Sequence, residues 1–304
     1  MMNQSESPAP SSLYHSIFRP GLFAGQTVLI TGGGSGIGRA LAFELASLGA
    51  NLALLGRKAE KLHSVAQELA ASGSKISCHV CDIREEDAVR ASVAEVLAQH
   101  GRIDALVNNA GGQFPAALKD ISKKGWDAVL QTNLTGGFLM AREVLTQYMQ
   151  QHGGAIVNLI ADCVGSMPMM GHSGAARAGM LGFTETAACE WAQYGVRVNA
   201  VAPGYIASSG MDNYPPQVLP LLRQAVQGVA LQRMGTEAET AAAICFLLSP
   251  AASFISGSCL RVDGARPQVR AGWPQPAAGQ SAAVTPFTGF ADPGAASRPR
   301  VLGE

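Results

Sequence analysis

The sequence predicts a single α/β domain built on a doubly wound parallel sheet of seven strands. Short apolar segments alternate with longer segments of helical periodicity over most of the 304 residues. Many of the 35 glycines stand where an apolar segment ends and a helical one begins, a pattern typical of strand-to-helix turns. Strands that alternate with helices pair in parallel, and the helices cover both faces of the sheet.

The predicted elements follow one another in a regular order. Apolar runs predict strands at 27–31, 51–55, 75–80, 103–107, 155–160, 196–201 and 258–262. Amphipathic patterns predict helices at 37–48, 59–71, 85–100, 126–151, 173–194 and 237–248. Gly49, Gly73 and Gly101 close the first three helices, because glycine readily adopts the left-handed conformation that ends a helix. Residues 206–229 form a variable segment before the last helix.

We place the domain at residues 21–264. The segment 1–20 lacks sustained periodicity and is predicted to be flexible. Residues 265–304 form a tail rich in proline, glycine and alanine, which we expect to be flexible or held by a partner subunit.

Composition excludes several classes of function. The 22 basic and 22 acidic residues cancel, so no global positive field attracts nucleic acid. No apolar stretch approaches the roughly 18 residues of a membrane span, and the N-terminal residues lack the pattern of a secretory signal. We therefore expect a cytoplasmic protein with neither a nucleic acid nor a membrane as partner.

The six cysteines lie mostly in apolar runs, which favours buried thiols over a metal site. Cys78 and Cys81 have the spacing of a redox or zinc motif. They fall on a predicted strand, however, where positions three apart point to opposite faces. We therefore expect no metal.

The segment from Thr31 to Gly38 reads Thr-Gly-Gly-Gly-Ser-Gly-Ile-Gly and joins the first strand to the first helix. Glycines let the backbone turn sharply and approach a pyrophosphate, and the free N–H groups of the helix start attract its charge. No Gly-Lys-Ser/Thr follows, which excludes a P-loop. The turn predicts a dinucleotide site in a Rossmann-like fold.

The end of the second strand indicates which dinucleotide is bound. An Asp or Glu there would accept hydrogen bonds from the ribose hydroxyls of NAD. Arg57 and Lys58 follow the strand instead, and two cations suit the additional 2′-phosphate of NADP. We predict NADPH as the cofactor, with a solvated charge at the helix start as the alternative reading of Arg57.

Three motifs together resemble the short-chain dehydrogenase/reductase family, in which they line the cofactor cleft. They are Thr31-Gly32 with Gly36 and Gly38, Asn108-Asn109-Ala110-Gly111 after the fourth strand, and Pro203-Gly204 after the sixth. The resemblance also implies that Asp82 holds the adenine amino group and that Asn133 is the active-site asparagine. The turn and the resemblance together assign these residues to the cofactor: Thr31, Gly32, Ser35, Gly36, Ile37, Gly38, Arg57, Lys58, Asp82, Ile83, Asn109, Ala110, Gly111, Arg177, Pro203, Gly204 and Ile206.

The catalytic core of that family, a Ser followed by Tyr-x-x-x-Lys, is not kept. Ala161 stands near the serine position, Ser173 at the tyrosine position and Arg177 at the lysine position. Reduction of a ketone needs a proton on oxygen, which is ordinarily supplied by a phenol whose pKa of about 10 is lowered by the lysine. A serine hydroxyl is too weak an acid, and a guanidinium does not shuttle protons. Ordinary alcohol and ketone chemistry is therefore disfavoured.

Reduction of an α,β-unsaturated thioester makes smaller demands on the protein. Hydride goes to the β-carbon, and hydrogen-bond donors can hold the enolate while water protonates the α-carbon. We assign Ser173 and Asn133 to orient or polarise the thioester, and Arg177 to position the nicotinamide ribose. His172 and Asp162 are weaker candidates for a proton donor, with structural roles as the alternative.

A closer resemblance supports this reading. The segments 108–114, 124–126, 132–136, 172–179 and 246–255 resemble the peroxisomal trans-2-enoyl-CoA reductases. The resemblance implies an NADPH-dependent reductase of trans-2-enoyl-CoA thioesters in fatty-acyl metabolism, acting as a homotetramer or dimer. The 2,4-dienoyl-CoA reductases share much of the pattern. A dienoyl-CoA or 3-hydroxyacyl-CoA oxidoreductase, and a catalytically silent nucleotide-binding subunit, therefore stay open.

Overall fold

The structure, a computed structural model, describes residues 13–163, 165–214, 216–269, 286–296 and 299. Its strands, in chain order, are β1 (Thr27–Thr31), β2 (Asn51–Gly56), β3 (Ile76–Val80), β4 (Ala105–Asn108), β5 (Gly154–Leu159), β6 (Val196–Pro203), β7 (Ile206–Ala207), β8 (Gly235–Thr236) and β9 (Cys259–Val262). Its α-helices are α1 (Gly36–Ser47), α2 (Ala59–Glu68), α3 (Glu86–His100), α4 (Lys123–Leu130), α5 (Gly136–Val144), α6 (Gln150–His152), α7 (Gly171–Glu190), α8 (Leu219–Gln227) and α9 (Glu237–Leu248).

Seven strands form one parallel sheet in the order β3-β2-β1-β4-β5-β6-β9. Successive residues of a strand point to opposite faces, so Val28 and Ile30 enter one apolar core while Leu29 enters the other. Helices α1, α2 and α9 cover the first face, and α3, α5 and α7 cover the second. The predicted doubly wound, seven-stranded α/β fold is confirmed. The strand order reverses between β1 and β4, and ligands bind at such a switch point, beside the carboxyl ends of the strands.

The predicted helix at 126–151 is interrupted twice. It runs as α4, α5 and α6, which are joined by π-helical turns at Gln131–Thr135 and Leu145–Met149. A π turn inserts one extra residue into the helix and is often found at functional sites. The first π turn contains Asn133, one of the predicted active-site residues.

The variable segment before the last helix has structure of its own. It contains β7, a 3-10 helix at Ser209–Asn213 and α8, and β7 pairs in parallel with β8. A small apolar cluster around Met211 and Met234 holds the segment together. Together with the residues up to the end of β8 it forms segment 206–236, which is hydrogen-bonded to the chain just beyond β6 and β9. The N–H of Gly235 donates to the carbonyl of Tyr205 over 2.9 Å, and that of Leu231 to the carbonyl of Gly264 over 3.3 Å.

The N-terminal residues and part of the tail pack against the domain. Tyr14 forms an antiparallel bridge with Phe290, and the two rings meet edge to face with their centroids 5.1 Å apart. Both side chains are buried beside Phe43 of α1. Burial of these two rings anchors Tyr14 to the domain, while the flexibility of segment 1–20 stays a prediction. Residues 1–12 and 270–285 lie outside the described residues.

In the part of the chain that the structure describes, no helix is long and apolar enough to cross a membrane. The same residues contain no cluster of three side chains that could hold a metal ion. All six cysteines are free thiols. Cys78 and Cys81 contact opposite cores, as their spacing on a strand predicts, whereas Cys189 is exposed, contrary to the expectation of buried thiols.

Candidate active site

The phosphate-binding turn between β1 and α1 is tied to the loop that follows β4. The hydroxyl of Thr31 donates to the carbonyl of Val107 over 3.3 Å. The same oxygen accepts hydrogen bonds from the backbone N–H groups of Asn109 and Ala110, at 3.0 and 2.9 Å. In return, the Asn109 amide donates to the carbonyl of Thr31 over 2.9 Å. Thr31 and Asn109 thus fix the relative position of the two loops.

The glycines of the turn are required by close approach of the backbone. Gly32 has a φ of +68°, a value that favours glycine. A Cβ on Gly38 would lie 2.2 Å from the carbonyl oxygen of Gly32, so α1 begins directly against the turn. Ser35, the N-cap of α1, makes no side-chain capping bond, and the first turn of the helix carries no acid. Its N–H groups are therefore available to an anion, and the turn fits a pyrophosphate.

The end of the cleft beyond β2 carries unpaired cations. Arg57 and Lys58 are both exposed, and no carboxylate among the described residues forms an ion pair with either of them. Asp82 accepts hydrogen bonds from the guanidinium of Arg84, which hold the pKa of the Asp82 carboxyl below its ordinary value. Ile83 is buried against Gly136 of α5. A Cβ added to Gly136 would lie only 2.6 Å from the side chain of Ile83.

Two cavities lie side by side at the carboxyl ends of the strands. The first, the cofactor cleft, has a volume of about 340 Å³. The predicted cofactor residues that line it are Ile37, Asn109, Gly111, Arg177, Pro203, Gly204 and Ile206. The second, the methionine chamber, has a volume of about 330 Å³. It is lined by Met167, Met169, Met170, Met211, Leu221 and Leu222, among others.

Arg177, at the position of the family's lysine, is held by backbone. Its Nη1 donates to the carbonyl of Leu159 over 2.6 Å, and a Cβ on Gly111 would lie 2.4 Å from its Nη2. Burial disfavours the charged form and lowers the pKa of Arg177 to about 10. Its Nε makes no hydrogen bond, and no Asp or Glu among the described residues pairs with it. The guanidinium can therefore donate to a ligand in the cofactor cleft.

Asn133 is buried and faces the loop after β4 from the π turn. Its Oδ1 accepts from the backbone N–H of Gly112 over 2.9 Å, and its Nδ2 donates to the carbonyl of Gly112 over 2.8 Å. This pair of bonds fixes the loop that forms one wall of the cofactor cleft. Asn133 itself lies behind that wall, because both polar atoms of its side chain are turned toward Gly112.

Ser173, at the position of the family's tyrosine, is fully buried at the start of α7. Its hydroxyl donates to Oε1 of Gln113 over 2.5 Å. Nε2 of Gln113 donates in turn to the phenolic oxygen of Tyr214 over 3.0 Å. Gln113 and Tyr214 line both the cofactor cleft and the methionine chamber. Ser173 therefore reaches the two cavities through Gln113.

The two weaker candidates have structural partners. His172 is fully buried, accepts a hydrogen bond at Nδ1 from the backbone of Ser173, and packs edge to face on Phe114. Asp162 is buried at the chamber wall and forms an ion pair with Arg266, with the two atoms 3.2 Å apart. Arg266 also lies over the ring of Tyr205, 5.1 Å from its centroid.

Sequence reasoning missed Gln113, Tyr214, Arg266 and the methionines of the chamber as site residues. Gln113 lies two residues after the Asn108–Gly111 motif, within the segment 108–114 of the closer resemblance, and this position was the one available signal. Tyr214 lies 101 residues from Gln113 along the chain, in the segment for which the sequence predicted no regular element. Only the folded segment 206–236 brings its phenol to the cleft.

Comparison with known proteins shows the family of the chain. A family model described as enoyl-(acyl carrier protein) reductase matches residues 32–265. This range contains the glycines of the phosphate turn, the last strand and every described lining residue of the two cavities except Arg266. The chain belongs to the short-chain dehydrogenase/reductase family. It is accordingly an oxidoreductase of the kind that binds a nicotinamide dinucleotide.

Relatives within the family differ in their reactions. The chain is 36% identical to a probable 2,4-dienoyl-CoA reductase of Bacillus subtilis, over 79% of this chain and 95% of the relative. It is also 36% identical to the 3-oxoacyl-[acyl-carrier-protein] reductase FabG of Staphylococcus epidermidis, over 79% of this chain and 98% of the relative. A solved structure, the citronellol catabolism dehydrogenase AtuB of Pseudomonas aeruginosa PAO1, is 58% identical. The match covers 83% of this chain and 99% of the AtuB chain, with a TM-score of 0.75.

Proposed function

We propose that this short-chain dehydrogenase/reductase reduces the C2–C3 double bond of trans-2-enoyl-CoA thioesters with NADPH. The observation that carries the proposal is the pair Ser173 and Arg177 in place of Tyr and Lys. Ser173 is fully buried, and its hydroxyl is bonded to Gln113. Ser173 cannot protonate a ketone oxygen, since an alkyl hydroxyl is too weak an acid. The guanidinium of Arg177 is fixed on the carbonyl of Leu159 and stands where the family has its lysine, not its proton-donating tyrosine.

A conjugated thioester needs no strong acid at its oxygen. Negative charge spreads from the β-carbon to the carbonyl oxygen during reduction, and hydrogen-bond donors aimed at that oxygen lower the barrier. Each such donor contributes on the order of 10²- to 10³-fold to the rate. The α-carbon can then take its proton from water. The reaction therefore suits a cleft whose wall carries neutral donors.

The residues around the cofactor cleft fit NADPH. The N-terminus of α1 would hold the pyrophosphate, and the exposed Arg57 and Lys58 would hold the 2′-phosphate. Arg177 would donate to the ribose next to the nicotinamide, with its side chain already fixed on Leu159. NADPH, when bound, supplies the hydride. The names of the dienoyl-CoA reductase and FabG relatives support a reductive role.

The methionine chamber suits an acyl chain. Its walls are largely apolar, and methionine side chains adapt to irregular ligands because they are unbranched and polarisable. The polar groups in its wall include Asp162 and Arg266, which pair with each other. We place the acyl chain there, with the thioester next to Gln113 and Tyr214.

A second candidate is oxidation or reduction of a terpenoid alcohol or aldehyde. The 58% identity with a citronellol catabolism dehydrogenase favours it, and a methyl-branched chain such as that of citronellol would also fit among methionines. The missing phenol–lysine pair disfavours direct alcohol chemistry. A methyl-branched enoyl thioester would satisfy both observations.

A substrate panel tests the proposal. In one assay, NADPH oxidation is followed with trans-2-enoyl-CoA, 2,4-dienoyl-CoA and 3-oxoacyl-CoA thioesters of straight and branched chains, and with citronellal. In the reverse assay, NADP⁺ reduction is followed with citronellol and with 3-hydroxyacyl-CoA. We expect turnover with the enoyl thioesters and a saturated product by mass spectrometry. Turnover with citronellal or citronellol alone would favour the second candidate. Cofactor binding without any turnover would indicate a silent subunit. The cytoplasmic location and the homo-oligomer remain predictions.

A further inference from the structure

The hydrogen-bonding capacity of Ser173 is used inside the protein. Its hydroxyl carries one proton, and the hydroxyl donates it in a hydrogen bond to Oε1 of Gln113 over 2.5 Å. Ser173 is fully buried and does not belong to the described residues that line either cavity. A donor to a ligand must have both a free proton and a free path to the ligand. Ser173 has neither in this arrangement.

Tyr214 meets both conditions. Its phenolic oxygen accepts from Gln113 Nε2 over 3.0 Å, which leaves its own O–H proton to donate elsewhere. Tyr214 lines the cofactor cleft and the methionine chamber at once, so its side chain lies where the two cavities meet. A hydride acceptor must lie at this junction, since it contacts the nicotinamide on one side and extends its chain into the chamber on the other.

The position of the phenol is fixed from two directions. Gln113 holds the oxygen, and Ser173 holds Gln113, so that the amide cannot rotate without losing a hydrogen bond. The backbone N–H of Tyr214 donates to the carbonyl of Met211 over 3.1 Å at the end of the 3-10 helix. Such preorganisation is what makes a hydrogen-bond donor effective on a developing charge.

We propose that Tyr214 is the catalytic hydrogen-bond donor to the carbonyl oxygen of the substrate, and that Ser173 is a positioning residue that acts through Gln113. The inference rests on the proposed function. It places the phenol on the 206–236 segment, across the cleft from α7. The family, by contrast, has its tyrosine on α7, at the position of Ser173.

NADPH, when bound, would supply a hydride to the β-carbon. The π electron pair of the C2–C3 double bond would then form a double bond between C1 and C2, and the π pair of the carbonyl would move onto oxygen, which accepts the hydrogen bond from Tyr214. When the enolate returns to the thioester, C2 would take a proton from water, and the hydroxide left behind would be neutralised by the buffer. Tyr214 keeps its proton throughout, so no lysine is needed to restore it.

Tyr214→Phe tests the role of the phenol. We expect kcat for the best enoyl thioester to fall by about 10²- to 10³-fold, with little change in KM or in NADPH affinity, because only the hydroxyl is lost. Tyr148→Phe is the matched control: it removes the same group from a ring that stacks on His152 outside the site, and its kcat should equal that of wild type. Equal kcat values for wild type and Tyr214→Phe would overturn the inference.

A double-mutant cycle separates the two hydroxyls. Ser173→Ala should lower kcat by up to about 10²-fold through misplacement of the donor, and the double variant should be no slower than Tyr214→Phe alone. A Ser173→Ala loss that multiplies with the Tyr214→Phe loss in the double variant would instead make Ser173 a direct donor and overturn the assignment. The proposed function fails separately, if wild type turns over no thioester at all; in that case the inference fails with it.

Discussion

Gly38→Ala is the substitution whose effect follows most directly from the geometry of the phosphate turn. The added Cβ would lie 2.2 Å from the carbonyl oxygen of Gly32 and 2.6 Å from Nδ2 of Asn109. Both atoms belong to the hydrogen bonds that fix the turn, so neither can move freely. Relief of the clash requires a backbone shift of about 1 Å, and overpacking of this kind costs about 1–3 kcal/mol.

The assay is thermal unfolding with and without NADPH. At about 2–4 °C per kcal/mol for a domain of this size, Gly38→Ala should lower Tm by several degrees. It should also lose much of the shift that NADPH produces in wild type, because the displaced turn forms the anion site. Gly182→Ala is the control, since that helical glycine has no atom within 4 Å of an added Cβ; it should stabilise by about 0.4–1 kcal/mol. A Gly38→Ala variant with wild-type Tm and NADPH affinity would refute the reasoning.

Three further predictions concern the cofactor and the assembly. Arg57→Ala should weaken NADPH binding by about 10- to 100-fold, because it removes one charge-assisted hydrogen bond. NADH binding, measured in the same fluorescence titration, should be unchanged. An equal loss of affinity for both cofactors would contradict a contact between Arg57 and the 2′-phosphate. Arg177→Met should weaken NADP⁺ binding by about 10- to 100-fold in the same titration, since it removes a charged hydrogen-bond donor from the wall of the cofactor cleft; an unchanged affinity would contradict a contact between the guanidinium and the cofactor. Light scattering of the wild type should give the mass of a dimer or tetramer, and a monomer would contradict the oligomer prediction.

The alternation of apolar and helical segments in the sequence was sufficient to predict the seven-stranded sheet. Each of the seven strands is an apolar run closed by a turn, so local composition predicts them, and the glycines of the turn between β1 and α1 predict the phosphate site. The interruption at Gln131–Thr135 could not be predicted, because no sequence pattern marked it and the hydrogen bond of its Asn133 with Gly112 joins residues 21 positions apart.

The contacts between distant parts of the chain could not be predicted from the sequence either. The hydrogen bonds between Ser173, Gln113 and Tyr214 join residues 60 and 101 positions apart, so no local pattern contains them. The packing of Tyr14 on Phe290 likewise depends on contacts between the two ends of the described chain. In both cases the tertiary fold decides what the side chains do.

The most direct test of the account is the position to which hydride is delivered. Wild-type protein is incubated with an enoyl thioester and NADPH that carries deuterium at C4 of the nicotinamide, and the product is examined by NMR. We expect a saturated thioester with deuterium at C3. An enoyl thioester recovered without label at C3, together with deuterium on the carbinol carbon when a 3-oxoacyl thioester or an aldehyde is supplied in its place, would contradict this expectation.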